Sequence, residues 1–409
     1  METNKKKSMV AIIKCYSYNL KEVTDSIMKG IELLGGIRKF FLQNKKILIK
    51  PNVLVASLPE KCIMTHPSIF EATCICLKEA ECKIFYGDSP ALYCEWGKCK
   101  NAMKKAGFTE IAEKYGAEVA DFDNGISVTH SNSKYHKKFV LAKGVLEADG
   151  IVSLPKLKTH GLTTITGAIK NQYGCVPGVY KGQYHAQAPD IKEFSMLLAE
   201  ITSYIKPKLY IMDAIMAMEG NGPQNGNPKK LNTILISEDP VALDTIACRL
   251  INLDPSYVPT ISAGEEEGLG TANFEQIECV GDKLEDLICP HFKVRREPVI
   301  KIPKNIFIKS IRNAFVQRPV IDSSICNRCG TCINACPVNP KAIGWTKAGR
   351  VKPPVYNYNN CIRCFCCHEM CPRGAIKIKN PFLSRLFPIA SYLALLLSNV
   401  IVIFKKKDK

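Results

Sequence analysis

The sequence predicts an α/β body on a mainly parallel sheet, followed by a small α+β module and an apolar C-terminal helix. Three observations carry this. Strand-like and helix-like segments alternate through residues 9–289, the rhythm of βαβ units. Two cysteine runs of identical spacing lie near the C-terminus. After them, residues 386–404 carry no charge and end at Lys405, Lys406 and Lys407. At 409 residues the chain has room for two or three units.

The elements follow in order. After a Lys-rich tail, the apolar residues 9–15 read as a strand; Lys14 interrupts them, which argues against a signal peptide. Residues 20–34 have the helical period and stop at Gly35-Gly36. Residues 46–50 are a strand running into Pro51-Asn52, and Pro67 suits a first helical position. Residues 83–86 are a strand entering Gly87-Asp88-Ser89-Pro90, and 98–114 are helical with a break at Gly107. Residues 150–154 are a strand leading to Pro155-Lys156-Leu157-Lys158-Thr159-His160. A helix over 191–204, a strand over 209–212 ending at Asp213, a strand over 233–236 and a helix from Pro240 to Ile251 complete the body. Residues 290–317, rich in Lys, Arg and Pro, read as a linker, and 318–380 as the second module.

Ligands of open parallel sheets bind beyond the carboxyl ends of the strands. Five predicted strands end there in polar residues. They deliver Lys50 and Asn52; Asp88 and Ser89; Lys156, Lys158 and His160; Asp213 and Glu219; and Glu238, Asp239 and Asp244. Asp-Ser-Pro and Glu-Asp-Pro are also good turn formers. Repeated lysines are not needed for turns and suit a carboxylate or phosphate. Lys158 and His160 are therefore the candidate catalytic residues, His160 as a proton donor. Lys50, Asn52, Asp88, Ser89, Lys156, Lys170, Asn171, Asp213 and Glu219 are the candidate substrate-binding set. The stretch Thr166-Gly167-Ala168-Ile169-Lys170-Asn171 reads as a helix start whose backbone N–H groups suit an anion. Residues 220–226 read as either a covering loop or a long turn. Neither stretch is a P-loop, and no Gly-x-Gly-x-x-Gly follows the first strand, so no nucleotide or NAD is expected. A flavin, which would couple one-electron to two-electron chemistry, stays open as a further cofactor, although no motif indicates it.

The cysteine runs are the most specific signal. Cys326, Cys329, Cys332, Cys336 and Pro337 repeat as Cys361, Cys364, Cys367, Cys371 and Pro372. Three thiolates in one tight loop address three corners of a cube, and in paired runs the fourth Cys serves the other cluster. Two [4Fe–4S] clusters are expected. One sits on Cys326, Cys329, Cys332 and Cys371, the other on Cys361, Cys364, Cys367 and Cys336. Zinc sites favour two separated Cys pairs, and a disulfide framework needs a small secreted domain. Cys366, a spare thiol beside Cys367, reads as a packing residue. Residues 318–380 resemble the bacterial two-cluster ferredoxin family.

Charge is unevenly placed. Of a net +18, residues 301–409 hold nineteen Lys and Arg against three acids, and the rest thirty-seven against thirty-five. A basic module steers acidic redox proteins or anionic membrane. Nucleic acid is disfavoured, because no recognition motif accompanies the charge. Twelve of the twenty Cys have no framework spacing, which suggests a reducing, anaerobic cytoplasm. The apolar residues 386–404 either attach the chain to the membrane face or pack on the body.

The body carries a second resemblance. Ile-Lys-Pro-Asn (49–52), Thr-His-Pro (65–67), Gly-Asp-Ser-Pro (87–90), Leu-Pro-Lys-Leu-Lys-Thr-His (154–160), Thr-Gly-Ala-Ile-Lys-Asn (166–171), Asp-Ala-Ile-Met-Ala-Met-Glu-Gly-Asn-Gly-Pro (213–223) and Asp-Pro-Val-Ala-Leu-Asp (239–244) resemble the iron–sulfur-centre proteins called domain of unknown function 362. That family is often fused to a ferredoxin module, and the resemblance implies a site but no settled substrate. The expected function is an iron–sulfur oxidoreductase passing electrons to a small anionic substrate in the body. The competing reading is an electron-transfer carrier or adaptor without a catalytic site of its own.

Overall fold

The computed structural model describes residues 7–90, 99–297, 313 and 316–380. The expected helix over 386–404 and most of the 290–317 segment lie outside these residues.

The body is a ten-stranded sheet with helices on both faces. Its strands are β1 (Ser8–Lys14), β2 (Lys46–Pro51), β3 (Lys83–Tyr86), β4 (Glu118–Val119), β7 (Gly150–Leu154), β8 (Lys156–His160), β9 (Thr164–Thr166), β10 (Leu209–Glu219), β11 (Asn227–Ser237) and β12 (Ile277–Gly281). A separate hairpin pairs β5 (Gly125–Thr129) with β6 (Lys138–Ala142). The main order is β12-β1-β11-β10-β7-β2-β3-β4. The sheet is mainly parallel; β1/β11, β10/β11 and β8/β9 are its antiparallel pairs.

Strand alternation builds two cores. Leu48, Tyr210, Met212 and Leu235 face the helices Ile191–Ile205 and Pro240–Leu250. Ile47, Ile49, Ile211 and Ile236 face the helices Leu20–Leu33 and Pro67–Glu79. Residues two apart share a face, so these near-continuous apolar runs suit a sheet covered on both sides.

The structure extends two predicted strands. Residues 209–212 grow to an eleven-residue strand, because Asp213 is buried against Lys156 Nζ at 2.8 Å rather than ending the strand. Residues 233–236 likewise extend to 227–237 as its partner. Helix 98–114 is two helices, Cys99–Lys105 and Phe108–Lys114, split where Gly107 adopts φ 80°. Pro155 separates β7 from β8, so the chain leaves β10 and rejoins it further along, carrying Lys156 and Lys158 out past the sheet's carboxyl edge.

The second module has β13 (Arg318–Ile321) paired with β16 (Ile376–Lys379), and β14 (Ile343–Gly344) with β15 (Val355–Tyr356). It docks on the body through Phe365 and Ile378, which join the body's core. His368 Nε2 lies 2.9 Å from Asn221 Oδ1, and Asn225 Nδ2 donates to the Cys371 carbonyl at 3.0 Å. The loop 220–226 is thus a joint between the two units, and Pro223 also lines the cavity described below. Residues 290–297 pack on the body as well: Phe292 is buried, and Lys293 N donates to Glu219 Oε2 at 2.8 Å.

Candidate functional site

A cleft with about 610 Å³ of empty space, part of it open to solvent, lies at the carboxyl ends of β2, β3 and β8. The body lines it with Lys50, Asn52, Asp88, Ser89, Lys158, His160, Thr166, Lys170, Asn171, Tyr173, Lys181 and His185. Glu369 and Met370 of the second module form a further wall.

Lys50 organises one side. Its ammonium donates to the Pro51 carbonyl at 2.8 Å and to Asn171 Oδ1 at 3.1 Å, and pairs with Asp88 Oδ1 at 2.8 Å. Two hydrogen bonds and one ion pair thus occupy Lys50, and Asp88 Oδ1 itself takes no hydrogen bond. Asp88 Oδ2 accepts from Val53 N at 2.6 Å. A Cβ on Gly174 would collide with the Asp88 carboxylate, so only glycine lets that turn close over the pair. Asp88→Asn is expected to lower unfolding stability by about 3 kcal/mol, since it strands a buried ammonium; thermal or urea melts against wild type measure it.

Three other lysines differ from Lys50. Lys158 donates one bond, to the Ile63 carbonyl, and burial pushes it down to about 7. Lys181 donates to the carbonyls of Ser89 and Pro90, and burial pushes it down to about 8. Lys170 has no carboxylate or carbonyl partner among the described residues; its ammonium lies 5.1 Å from the centre of the Tyr173 ring, and burial lowers it too. Lys158 and Lys170 have the most donors to spare, and Lys181 has one.

His160 departs from the expected protonated donor. Its Nδ1 accepts from the N–H groups of Leu162 at 3.1 Å and Thr163 at 3.2 Å. Burial first, then the nearby lysines, holds it well below the ordinary imidazole range. The ring is neutral, with its proton on Nε2, and that N–H has no hydrogen-bond acceptor. Glu369 Oε2 lies 3.7 Å away. His185, stacked on Phe194, is also neutral, pushed down to about 3 by burial.

The expected backbone anion site at 166–171 is already filled. The helix is one turn, Ala168–Asn171, and Asp244 accepts from Ala168 N at 2.6 Å and Ile169 N at 3.3 Å. Asp244 therefore positions Lys170 and Asn171 rather than a ligand.

Three other expected residues lie outside the cavity. Lys156 and Asp213 form a closed buried group with Tyr18, whose hydroxyl donates to Asp213 Oδ1 at 2.8 Å and accepts from Lys156 Nζ at 3.0 Å. Glu219 holds Lys293 N. Conversely, Thr166, Tyr173, Lys181, His185, Pro223, Glu369 and Met370 line the cavity without having been singled out. The four-residue spacing of Lys181 and His185 on helix Gly178–Gln187 is a one-face signal. Glu369 gave none, because it belongs to the other module.

The cysteine runs build a second kind of site. Cys326, Cys329, Cys332 and Cys371 line one cavity with Ile321, Ala375 and Ile376, the donor set that a thiolate-bound cube needs. Cys371 Sγ accepts from Ala375 N, and Cys336 Sγ from Ala342 N, both at 3.3 Å. Such N–H···S bonds stabilise negative charge on a cluster and raise its potential. Tyr356 OH donates to Cys367 Sγ at 3.3 Å. Cys366 is buried among Cys364, Cys367 and Glu369, consistent with packing.

Both parts of the chain match known families. Residues 47–249 match the family "Domain of unknown function (DUF362)". Thylakoid-associated protein sll1697 of Synechocystis sp. (strain ATCC 27184 / PCC 6803 / Kazusa) is 34% identical over 261 residues, 64% of this chain and 79% of its own length. The chain belongs to the DUF362 family. Residues 318–372 match the 4Fe-4S dicluster domain, so this DUF362 protein carries two [4Fe–4S] clusters and an electron-transfer module. Among solved structures, the lactate racemase apoprotein from Thermoanaerobacterium thermosaccharolyticum is 12% identical with a TM-score of 0.38, covering 61% of this chain and 58% of that one. A Thermotoga maritima protein is 12% identical with a TM-score of 0.35, covering 63% and 61%. This chain spans about three fifths of the length of each. No helix among the described residues is long and apolar enough to cross a membrane.

Proposed function

We propose that this DUF362 protein is an iron–sulfur oxidoreductase acting on a small anion bound between the body and the cluster module. One observation carries the reading. Glu369 and Met370, which wall the cavity, sit in sequence between the cluster ligands Cys367 and Cys371. A bound molecule rests against the segment that carries cluster thiolates, so electrons have little protein to cross.

When bound, the clusters exchange electrons one at a time. The chain's own residues do the rest. Lys170 and Lys158 hold the anion in a buried setting, where charge interactions are stronger than in water. Lys158, with its proton balanced near pH 7, gives or takes a proton at the reacting atom. His160 stays neutral and donates its Nε2–H to a developing oxyanion. The basic charge of residues 301–409 suits an acidic redox protein as electron donor.

The test is cluster reoxidation. The full chain is reduced without oxygen, pooled small anions are added, and visible absorbance is followed with Lys158→Ala and Lys170→Ala alongside. The expected result is fast reoxidation by one pool, slowed at least tenfold in both variants. Indifference to every pool, with rapid exchange with other redox proteins, would favour the carrier.

A further inference from the structure

The hydrogen-bond polarity of the cavity restricts its ligand further than charge does. Lys50 is the fixed point, because an ammonium only donates. Its contact with Asn171 therefore identifies that atom as Oδ1, and Asn171 Nδ2 donates to Ser153 Oγ at 2.9 Å. Asn52 meets the same Asn171 Oδ1 at 2.9 Å, so it must present Nδ2 there. Asn52 Oδ1 is then left buried, an acceptor with no donor. On the other side, His160 Nε2–H is a donor with no acceptor, fixed by the two backbone N–H groups on Nδ1. The Ser89 and Thr166 hydroxyls, both nearly fully buried, also lack partners. All four groups line the one cavity, as does Asp88 Oδ1, which has its ion pair with Lys50 but no hydrogen bond. Buried polar groups are rarely left unpaired without a ligand or ordered water to meet them.

A plain carboxylate has only acceptors. It would answer His160, Lys158 and Lys170 and leave Asn52 Oδ1 orphaned. The missing partner must bring a proton of its own. An ammonium would bring one, but the lining's four lysines, Lys50, Lys158, Lys170 and Lys181, outnumber its two carboxylates, Asp88 and Glu369, and disfavour a cation. A neutral hydroxyl on the same molecule meets both conditions. We infer that the cavity is built for a hydroxycarboxylate, its carboxylate held by Lys158, Lys170 and His160, its hydroxyl donating to Asn52 Oδ1. This rests on reading the cavity as the substrate site.

Calorimetric titration of the cluster-loaded full chain tests it, with matched probes: glycolate against acetate, malate against succinate, and inorganic phosphate. In at least one pair the hydroxylated acid should bind at least about tenfold more tightly, because its deoxy partner leaves a buried acceptor unpaired. That ratio should fall to near one in Asn52→Leu, with folding and clusters checked by melting and visible absorbance. If that variant loses its clusters, the wild-type ratio alone decides. Equal binding within both pairs overturns the hydroxyl donor and leaves the substrate site standing. Phosphate binding more tightly than every carboxylate overturns the carboxylate class. No binding by any probe overturns the substrate site, and this inference with it.

Discussion

Cys371→Ala is expected to remove the cluster held by the first cysteine run and to leave the second. Iron and sulfide should fall from about eight to about four of each per chain, the content of one [4Fe–4S] centre. The reason is spatial. Cys371 lies 35 residues after Cys336, the last cysteine of the first run, yet it lines the same cavity as Cys326, Cys329 and Cys332. Nearby Cys361, Cys364 and Cys367 are not part of that lining. The effect should reach the anion site, because the Cys371 carbonyl anchors Asn225 and the chain just before it supplies Glu369 and Met370. Anion affinity should therefore weaken too. Iron analysis and the electron paramagnetic spectrum of the reduced protein decide the first point. Loss confined to the cluster on Cys361, Cys364 and Cys367 would overturn the ligand pairing.

Lys158→Met should trade ligand binding for stability. Burial pushes Lys158 down to about 7 from its ordinary 10.5, against the opposing pull of Glu369. Between those values the unfolded chain holds the proton and the folded chain does not, so stability rises with pH across that window. The burden is full below about pH 7 and gone near 10.5. Methionine removes it, while leaving the Ile63 carbonyl without its donor. The variant should be more stable than wild type at pH 6 by on the order of 2 kcal/mol, net of that lost bond. The advantage should vanish by about pH 10.5. Anion affinity moves the opposite way: at pH 6 the variant should bind at least about tenfold more weakly. Wild-type affinity should decline as pH rises through about 7, and the variant should lack that step. Melts and titrations across pH measure both. A wild type that outlasts the variant at pH 6 would mean that Lys158 is better compensated than its burial implies.

The thiols outside the runs are mostly structural. Burial keeps Cys15 protonated, pushed up to about 11, and Cys76 and Cys175 up to about 12. Buried thiols of this kind are poor nucleophiles.

Local signals determined much of this protein. Short, near-continuous apolar runs gave β1, β2, β3 and β7, because a strand's pattern is set by its own residues. The spacing of Cys326 to Cys336 and its repeat determined the cofactor, because three ligands of a cube sit within one loop. Strand-end polarity pointed to Lys50, Asn52, Asp88, Ser89, Lys158 and His160, and the 166–171 stretch to Lys170 and Asn171, all of which line a single cavity. Only the tertiary structure separated the roles within that set. Lys156 and Lys158 sit two residues apart, yet one closes a buried group with Asp213 and Tyr18 while the other lines the cavity, because Pro155 and the irregular pairing with β10 turn the chain between them. Lys50 could not be known to be occupied until Pro51, Asn171 and Asp88 stood around it. His160 could not be known to be neutral until two backbone N–H groups and burial had fixed its proton. Glu369 became part of the site through the docking of one module on another. Protonation, pairing and access depend on neighbours distant in the chain, and only folding brings those neighbours together.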